Sequence, residues 1–390
     1  MIRELNSSDR RAGPSDSHEH VYEISQGSLK AIVSNLGASL RSLKYKDLEL
    51  TLGHADPETY KTNPPYFATT VGRFGNRIAE GTFTLDGKSH SLARNNGKNH
   101  LHGGPKGFHS KYWTVNEISI SMALSDEGGK PGTRLIKTEG LRFSLESPDG
   151  DESYPGNLLA QVDILLSDSN ELFFVYKAET SAPTVANLTN HAYWNMNGEG
   201  KGSIHDNVLR LFAAGHLEVD ATSIPTGALV PLAGGPFDFS SPRPLAGILS
   251  EAGLSGSDIP AEKVHGVDHT FVADTHAPST TIAFENASLR ARKIAELKGK
   301  GGRMEVWTSL PGVQVYSANY LRGIPGRNGP HEIHAGLCLE TQRFPDAPNQ
   351  GEHFRLIGKK LGFDAAETAS WDAVLRPGMA DRSITIHRFG

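Results

Sequence analysis

The sequence predicts an all-β protein built as one large antiparallel domain, and three observations point there. Glycine supplies 42 of 390 residues, roughly 11% against an ordinary ~7%, which calls for many tight turns. Apolar and polar residues alternate in short runs broken by Gly, Pro, Asn and Asp, the pattern of strands at frequent spacing. No strand alternates with a long helical stretch, so a parallel α/β arrangement is disfavoured.

Residues 1–20, with Ser7, Ser8, Asp9, Arg10, Arg11, Gly13 and Pro14, carry no periodicity and are read as a flexible N-terminal arm. Residues 21–390 are read as a single domain. Strands are expected at Leu29 to Ser34, Leu40 to Tyr45, Phe83 to Leu85, Leu158 to Leu166 and Leu172 to Ala178. They continue at Asn207 to Phe212, Thr281 to Glu285, Met304 to Thr308, Val313 to Tyr320, Leu337 to Gln342 and Ser383 to Phe389. Phe83 to Lys88 reads as a hairpin, because Asp86-Gly87 supplies the two positive φ angles of a type I′ turn. Pro244 to Leu254 is a short helical signal, while Leu289 to Leu297 fits either period. Ser125 to Gly132 and Glu199 to Ser203 read as surface loops. No repeat of fixed period occurs, and no stretch has the composition of an interdomain linker.

Lys and Arg number 39 against 44 acids, giving a formal charge of −5. That balance does not favour a phosphate-tracking, nucleic-acid-binding surface. No apolar stretch approaches the ~18 residues of a membrane helix, and Met1 to Asn6 lacks a hydrophobic signal core, so the expected location is cytoplasmic. The single cysteine, Cys338, excludes an intrachain disulfide and a cysteine-ligated metal cluster. A dinucleotide-binding Gly-x-Gly-x-x-Gly after a strand, a Walker loop and a Gly-x-Ser-x-Gly elbow are all missing from the sequence.

The chemistry-bearing residues sit on alternating segments. Residues two apart on a strand share a face, so Asn187, Thr189, His191, Tyr193 and Asn195 fall on one side, with Leu188, Asn190, Ala192 and Trp194 on the other. In Leu337 to Gln342, Glu340 lies beside Cys338 and Gln342, opposite two leucines. In Val313 to Tyr316, Gln314 and Tyr316 oppose two valines. Short-reach amides, an imidazole, a carboxylate and phenols suit a wet carbohydrate groove better than an ordinary solvent face. Two loops add His100 and His102 beside Gly103-Gly104, and Arg73 and Arg77 with Asn76 in a Gly-flanked turn; Asp268 supplies a second carboxylate. The His100-x-His102 spacing suits a metal-binding jelly roll, but Lys106 and Gly107 stand where its Glu ligand is expected. Glu340 and Asp268 could also serve as the carboxylate pair of a glycosidase, a reading that stays open at this level.

These pieces, taken in order, closely resemble the aldose 1-epimerase (galactose mutarotase) family. The matching motifs are Gly72 to Ala79, Asn99 to Gly104, Asn187 to His191, Ile224 to Gly227, Pro236 to Phe239, Val267 to His269, Pro311 to Gln314, and Leu339 to Gln342 followed by Pro345-Asp346. They span about residues 20 to 389. The resemblance implies a large antiparallel β-sandwich with an open groove. It also implies cofactor-free, metal-free interconversion of the α and β anomers of free hexoses such as galactose and glucose. By motif position Glu340 corresponds to the general base and His191 to the general acid; Arg77, His102 and Asp268 to sugar-binding or orienting residues; Asn76 and Gln314 to supporting contacts. The implied partner is a small-molecule sugar, with no nucleic acid or membrane, and the chain is expected as a monomer or weak dimer. The mechanism then calls for an ionised Glu340 and a protonated His191, with environments that push their pKa values apart in that sense. Gly75 in place of a more usual Ala, Arg343-Phe344 after Glu-Thr-Gln, and a long polar stretch around Ser119 to Thr138 depart from the family pattern and bear on sugar preference. A catalytically silent sugar-binding module, a glycoside hydrolase, an epimerase of phosphorylated sugars using Arg73 or Arg343 as a clamp, and an isomerase of a non-sugar metabolite are the competing readings.

Overall fold

The longer alternating runs pair into a closed ring. A computed structural model describes residues 1–6, 18–127, 132–251 and 266–390. In it Ser279–Phe284, Thr114–Glu127, Thr133–Ser147, Leu158–Ser167, Glu171–Thr180, Asp381–Phe389, Gly302–Thr308 and Ala287–Gly299 follow one another as antiparallel neighbours, and the last pairs back onto the first. Every strand of the ring contributes to an interior core: Ile282, Met122, Ile136, Leu165, Phe173, Ile384, Trp307 and Ala291 are all buried in it. Alternate residues point outward. Ile164, Leu166, Phe174 and Tyr176 belong to a second and larger core, shared with a six-stranded sheet that supplies Phe271, Val313, Val315, Leu337 and Leu339. Ile164-Leu165-Leu166 is continuously apolar because both of its faces are dry.

The six-stranded sheet runs Tyr193–Trp194, Leu337–Gln342, Gly312–Tyr316, Asp268–Ala273, Ala213–Val219 and Pro225–Pro231 in spatial order. Its two edges are a two-residue strand and a strand that begins and ends with proline. A five-stranded meander, Ile2–Glu4 through Leu48–Glu49, completes the larger sheets. Among the described residues helices are few and short, the longest being Ala347–Leu361.

Several sequence expectations are corrected. The N-terminal arm is not free at its start: Ile2–Glu4 pairs with Val21–Gln26, and Nδ1 of His20 lies 2.6 Å from a Glu4 carboxylate oxygen. A three-residue strand is too short for its alternation to be read; residues 7–17 lie outside the described residues. The strand expected over Val313 to Tyr320 ends at Tyr316, and Ala318 takes a left-handed φ of 55°. Leu289 to Leu297 is strand, inside Ala287–Gly299. The loop expected at Ser125 to Gly132 is shorter at its start, since the strand runs on to Glu127; residues 128–131 lie outside the described residues. Leu245–Glu251 is helical, with 252–254 likewise outside. The Asp86-Gly87 turn has φ of 50° and 77°, both positive as the hairpin requires.

Candidate active site

Register on the six-stranded sheet brings the polar residues together. Gln314 stands directly opposite Glu340, and Tyr316 opposite Cys338; on the next strand Thr270 faces Gln314 and Asp268 faces Tyr316. Tyr193 pairs with Cys338 from the other side. One pleated face therefore carries Glu340, Cys338, Gln314, Tyr316, Asp268 and Tyr193, while the alternate residues fill the main core. Gln314 is held at both ends: its amide nitrogen donates to Asp268 Oδ1 at 2.6 Å and its oxygen accepts from the Thr270 hydroxyl.

His191 comes from a segment that is not the continuous strand its alternation suggested. Only Thr189–Asn190 and Tyr193–Trp194 are strand, and His191 lies between them. Its backbone is clamped by exchange with a neighbouring loop, His191 N–H donating to Thr69 O at 3.0 Å and Ala68 N–H to His191 O at 2.9 Å. Nε2 of His191 lies 3.5 Å from Oε1 of Glu340, and Nδ1 lies 3.5 Å from Sγ of Cys338. Tyr193 stacks on the imidazole at a ring separation of 5.1 Å.

Two glycine-flanked loops form the opposite wall. Gly103 has φ of 79°, and a Cβ there would lie 1.8 Å from the carbonyl oxygen of Gly72, so the loops touch backbone to backbone. Asn76 N–H donates to Nδ1 of His102 at 3.2 Å, and His102 N–H returns a bond to Asn76 O. Asn76 Oδ1 accepts from Arg77 N–H, and the Arg77 guanidinium is steadied by Nε donating to Asn96 Oδ1 at 3.0 Å.

The resulting cleft of ≈ 290 Å³ is lined by all seven residues singled out above: Glu340, His191, Arg77, His102, Asp268, Asn76 and Gln314. Tyr193 and Tyr316 join them, as do residues that sequence reasoning missed: Pro64, Pro65, Tyr66, Asn96, Leu101, Tyr320, Leu321 and Ile324. Tyr66 packs against His102, His109 and His191 from a loop with no periodicity to announce it.

Other sequence candidates turn elsewhere. Arg73 is buried and donates to the carbonyls of Ser147, Pro148, Pro155 and Gly156. Arg343 donates to Ser370 O and to Asp381. His100 faces Tyr154 and Ala93 O. Arg77 is the one Lys or Arg among the described residues lining the cleft, so the phosphate clamp considered for Arg73 or Arg343 is not built.

Burial governs the electrostatics. Glu340 is 2% exposed and its Oε2 has no hydrogen-bond partner; desolvation pushes its carboxyl well above the usual range, with Asp268 adding and Arg77 opposing. Desolvation also raises Asp268, against Arg77 and the Gln314 bond. It lowers His191 to about 4 and His102 well below an ordinary imidazole. Burial thus moves both groups against the expected sense, because it penalises the carboxylate and the imidazolium alike.

Ligand-type atoms of His102, His191 and Glu340 lie within 4.8 Å of one another, close enough to test against a metal. A ligating histidine donates its second ring N–H to an acceptor. Nδ1 of His102 instead faces a backbone N–H and must accept, which leaves the hydrogen on Nε2. His102 is therefore a fixed donor into the cleft, and this set has the wrong polarity for a cation.

Comparison with known proteins identifies the family. A family model described as aldose 1-epimerase matches residues 20–360. The chain is 36% identical to a galactose mutarotase of Sus scrofa over 87% of its own length and 90% of that protein's. It is 32% identical to an aldose 1-epimerase of Escherichia coli K12 over 87% and 85%. An aldose epimerase homologue from C. elegans superposes with a TM-score of 0.72 at 25% identity, over 94% of this chain and 98% of that one. A galactose 1-epimerase from Lactobacillus acidophilus, at 22% identity and a TM-score of 0.73, shares the fold. No helix among the described residues is long and apolar enough to cross a membrane.

Proposed function

The chain belongs to the aldose 1-epimerase family and is an enzyme that interconverts anomers of aldoses, and from that premise we propose that Glu340 and His191 carry the two proton transfers on a free hexose. Opening a cyclic hemiacetal requires a base to take the proton of the anomeric hydroxyl while an acid protonates the ring oxygen as the C1–O5 bond breaks. Glu340 takes the first proton and Nε2 of His191 gives the second. Rotation about C1–C2 then presents the other face of the aldehyde, and the reverse transfers close the ring to the opposite anomer.

The observation that carries this reading is the 3.5 Å approach of Nε2 of His191 to Oε1 of Glu340 on one cleft wall. The opposed pKa shifts support it further. Ring opening moves one proton onto Glu340 and one off His191, so the pair holds a single proton before and after. Burial favours the arrangement reached on opening, neutral carboxyl and neutral imidazole, which stabilises the open-chain stage. General acid and base groups each contribute roughly 10²- to 10⁴-fold, enough for a reaction that already proceeds in water. His102 supplies an Nε2–H donor and Arg77 a cation to the sugar oxygens, and Asp268, oriented by Gln314, accepts from hydroxyls.

A cleft of ≈ 290 Å³ lies at the lower end of ligand-pocket sizes and suits a single pyranose over an oligosaccharide. Galactose and glucose are the sugars we assign. A monomer or weak dimer and a cytoplasmic location remain our assignments. Polarimetry of freshly dissolved α-galactose and α-glucose tests the substrate assignment: the protein accelerates the approach to equilibrium rotation, and an unchanged rate with both sugars refutes it.

A further inference from the structure

One group against the His191 ring takes no part in the transfers just described. Sγ of Cys338 lies 3.5 Å from Nδ1, the nitrogen turned away from Glu340. Cys338 is buried on the same strand face as Glu340, and its register opposite Tyr193 and Tyr316 fixes where the sulfur stands. We propose that Cys338 is a positioning residue, whose sulfur keeps Nε2 of His191 directed at the cleft while itself offering the charged ring a weak acceptor, so that His191 surrenders its proton readily to the sugar ring oxygen. The inference rests on the reading of His191 as the acid.

A carboxylate at Nδ1 would hold the ring as imidazolium, as in a Ser-His-Asp triad. A thiol orients the ring but accepts weakly. Burial keeps the Cys338 thiol protonated, with Glu340 and Asp268 adding to the effect, so no thiolate forms to stabilise the cation. The remaining groups around His191 are Glu340 at Nε2, His102 edge-on at 5.3 Å, and the phenols of Tyr66, Tyr193 and Tyr316; Arg77 and Asp268 line the same cleft. The ring also bonds the backbone carbonyl of His191 itself, a neutral acceptor, and among the described residues no carboxylate pairs with Nδ1. A loosely held proton suits the task, because the ring oxygen of a sugar is a poor base and a strong acid is needed to reach it.

The test compares kcat/KM against pH for the wild type, Cys338→Ser and Cys338→Ala, with thermal melts to establish folding. A serine hydroxyl accepts better than a thiol, so Cys338→Ser should move the acid limb up by about one pH unit and leave the alkaline limb in place. Cys338→Ala removes the partner and should lower kcat about ten-fold with KM within about two-fold. Losses uniform in pH, with both limbs unmoved, would mean that Cys338 only fills space and would overturn the proposal. The titration of His191 by NMR in the unmodified protein, assigned with His191→Asn, decides the matter even if the variants misfold: a midpoint at or above the ordinary ~6.5 also overturns it. Full activity in His191→Asn would sink the underlying acid assignment. Loss of activity there, with unshifted Cys338 variants, would sink only the role of the sulfur.

Discussion

Glu340→Gln separates chemistry from architecture more cleanly than other changes at this site. The glutamine keeps the shape of a side chain that is 2% exposed, and its Oε2 position has no hydrogen-bond partner to lose. Because burial already favours the neutral carboxyl, exchanging it for a neutral amide should change stability by no more than about 1 kcal/mol. Removing the base should cost a factor of about 10² to 10⁴ in kcat, equivalent to ~3 to 5.5 kcal/mol of barrier. KM should change little, since sugar binding is assigned above to Arg77, His102 and Asp268. The assay is the initial rate of rotation change of fresh α-glucose or α-galactose, corrected for the spontaneous reaction, with a thermal melt alongside. A variant that melts like the wild type yet turns over within ten-fold of it would refute the assignment of the base.

The pH–rate profile should be bell-shaped. Below about pH 4, His191 takes up a second proton and the pair has no base left; above the raised pKa of Glu340 the pair has lost its only proton and has no acid. An acid limb near the ordinary imidazole value would contradict this. Stability should fall with acid as well: His109, His191 and His269 are held down to about 4 and His387 to about 3, so their contribution is complete above ~6.5 and lost as pH falls through those values. Melting temperatures unchanged between pH 7 and pH 4 would argue against it. Asp268→Asn retains an acceptor for Gln314 and should raise KM about ten-fold, ~1.4 kcal/mol, with kcat nearly kept; a collapse of kcat would place Asp268 in the proton transfers. Arg327→Ala should cost about 3 kcal/mol in a denaturant melt and raise KM, because Arg327 ties the segment carrying Tyr320, Leu321 and Ile324 to Arg41 O, Thr51 O and the buried Glu199. A melt within 1 kcal/mol of the wild type would show that the tie is dispensable.

Alternation along the strands made much of this site readable. The face carrying Cys338 and Glu340, and the one carrying Gln314 and Tyr316, follow from a period of two, and the structure adds only the register that sets them side by side. The same rule overreached at Gln342, which shares Glu340's parity yet is fully buried and does not line the cleft. Arg73 and Arg77 look alike within one glycine-flanked motif; tertiary packing alone sends the first into a nest of carbonyls and the second to the cleft. Tyr66 left no signal, since its place beside His191 depends on the exchange between Ala68, Thr69 and His191 across some 120 residues. The direction in which burial moves Glu340 and His191 left no signal for a related reason: desolvation depends on depth, which a linear pattern does not encode.

The way the sheets end bears on how the enzyme behaves when crowded. Unpaired strand edges are where foreign chains add themselves and fibrils begin. The ring of eight strands pairs back onto itself, and the sheet carrying Glu340 stops at a two-residue stub on one side and at Pro225–Pro231 on the other, whose terminal prolines lack an N–H to offer. The molecule can therefore hold an open cleft on one face of a sheet whose edges offer a neighbour little to pair with.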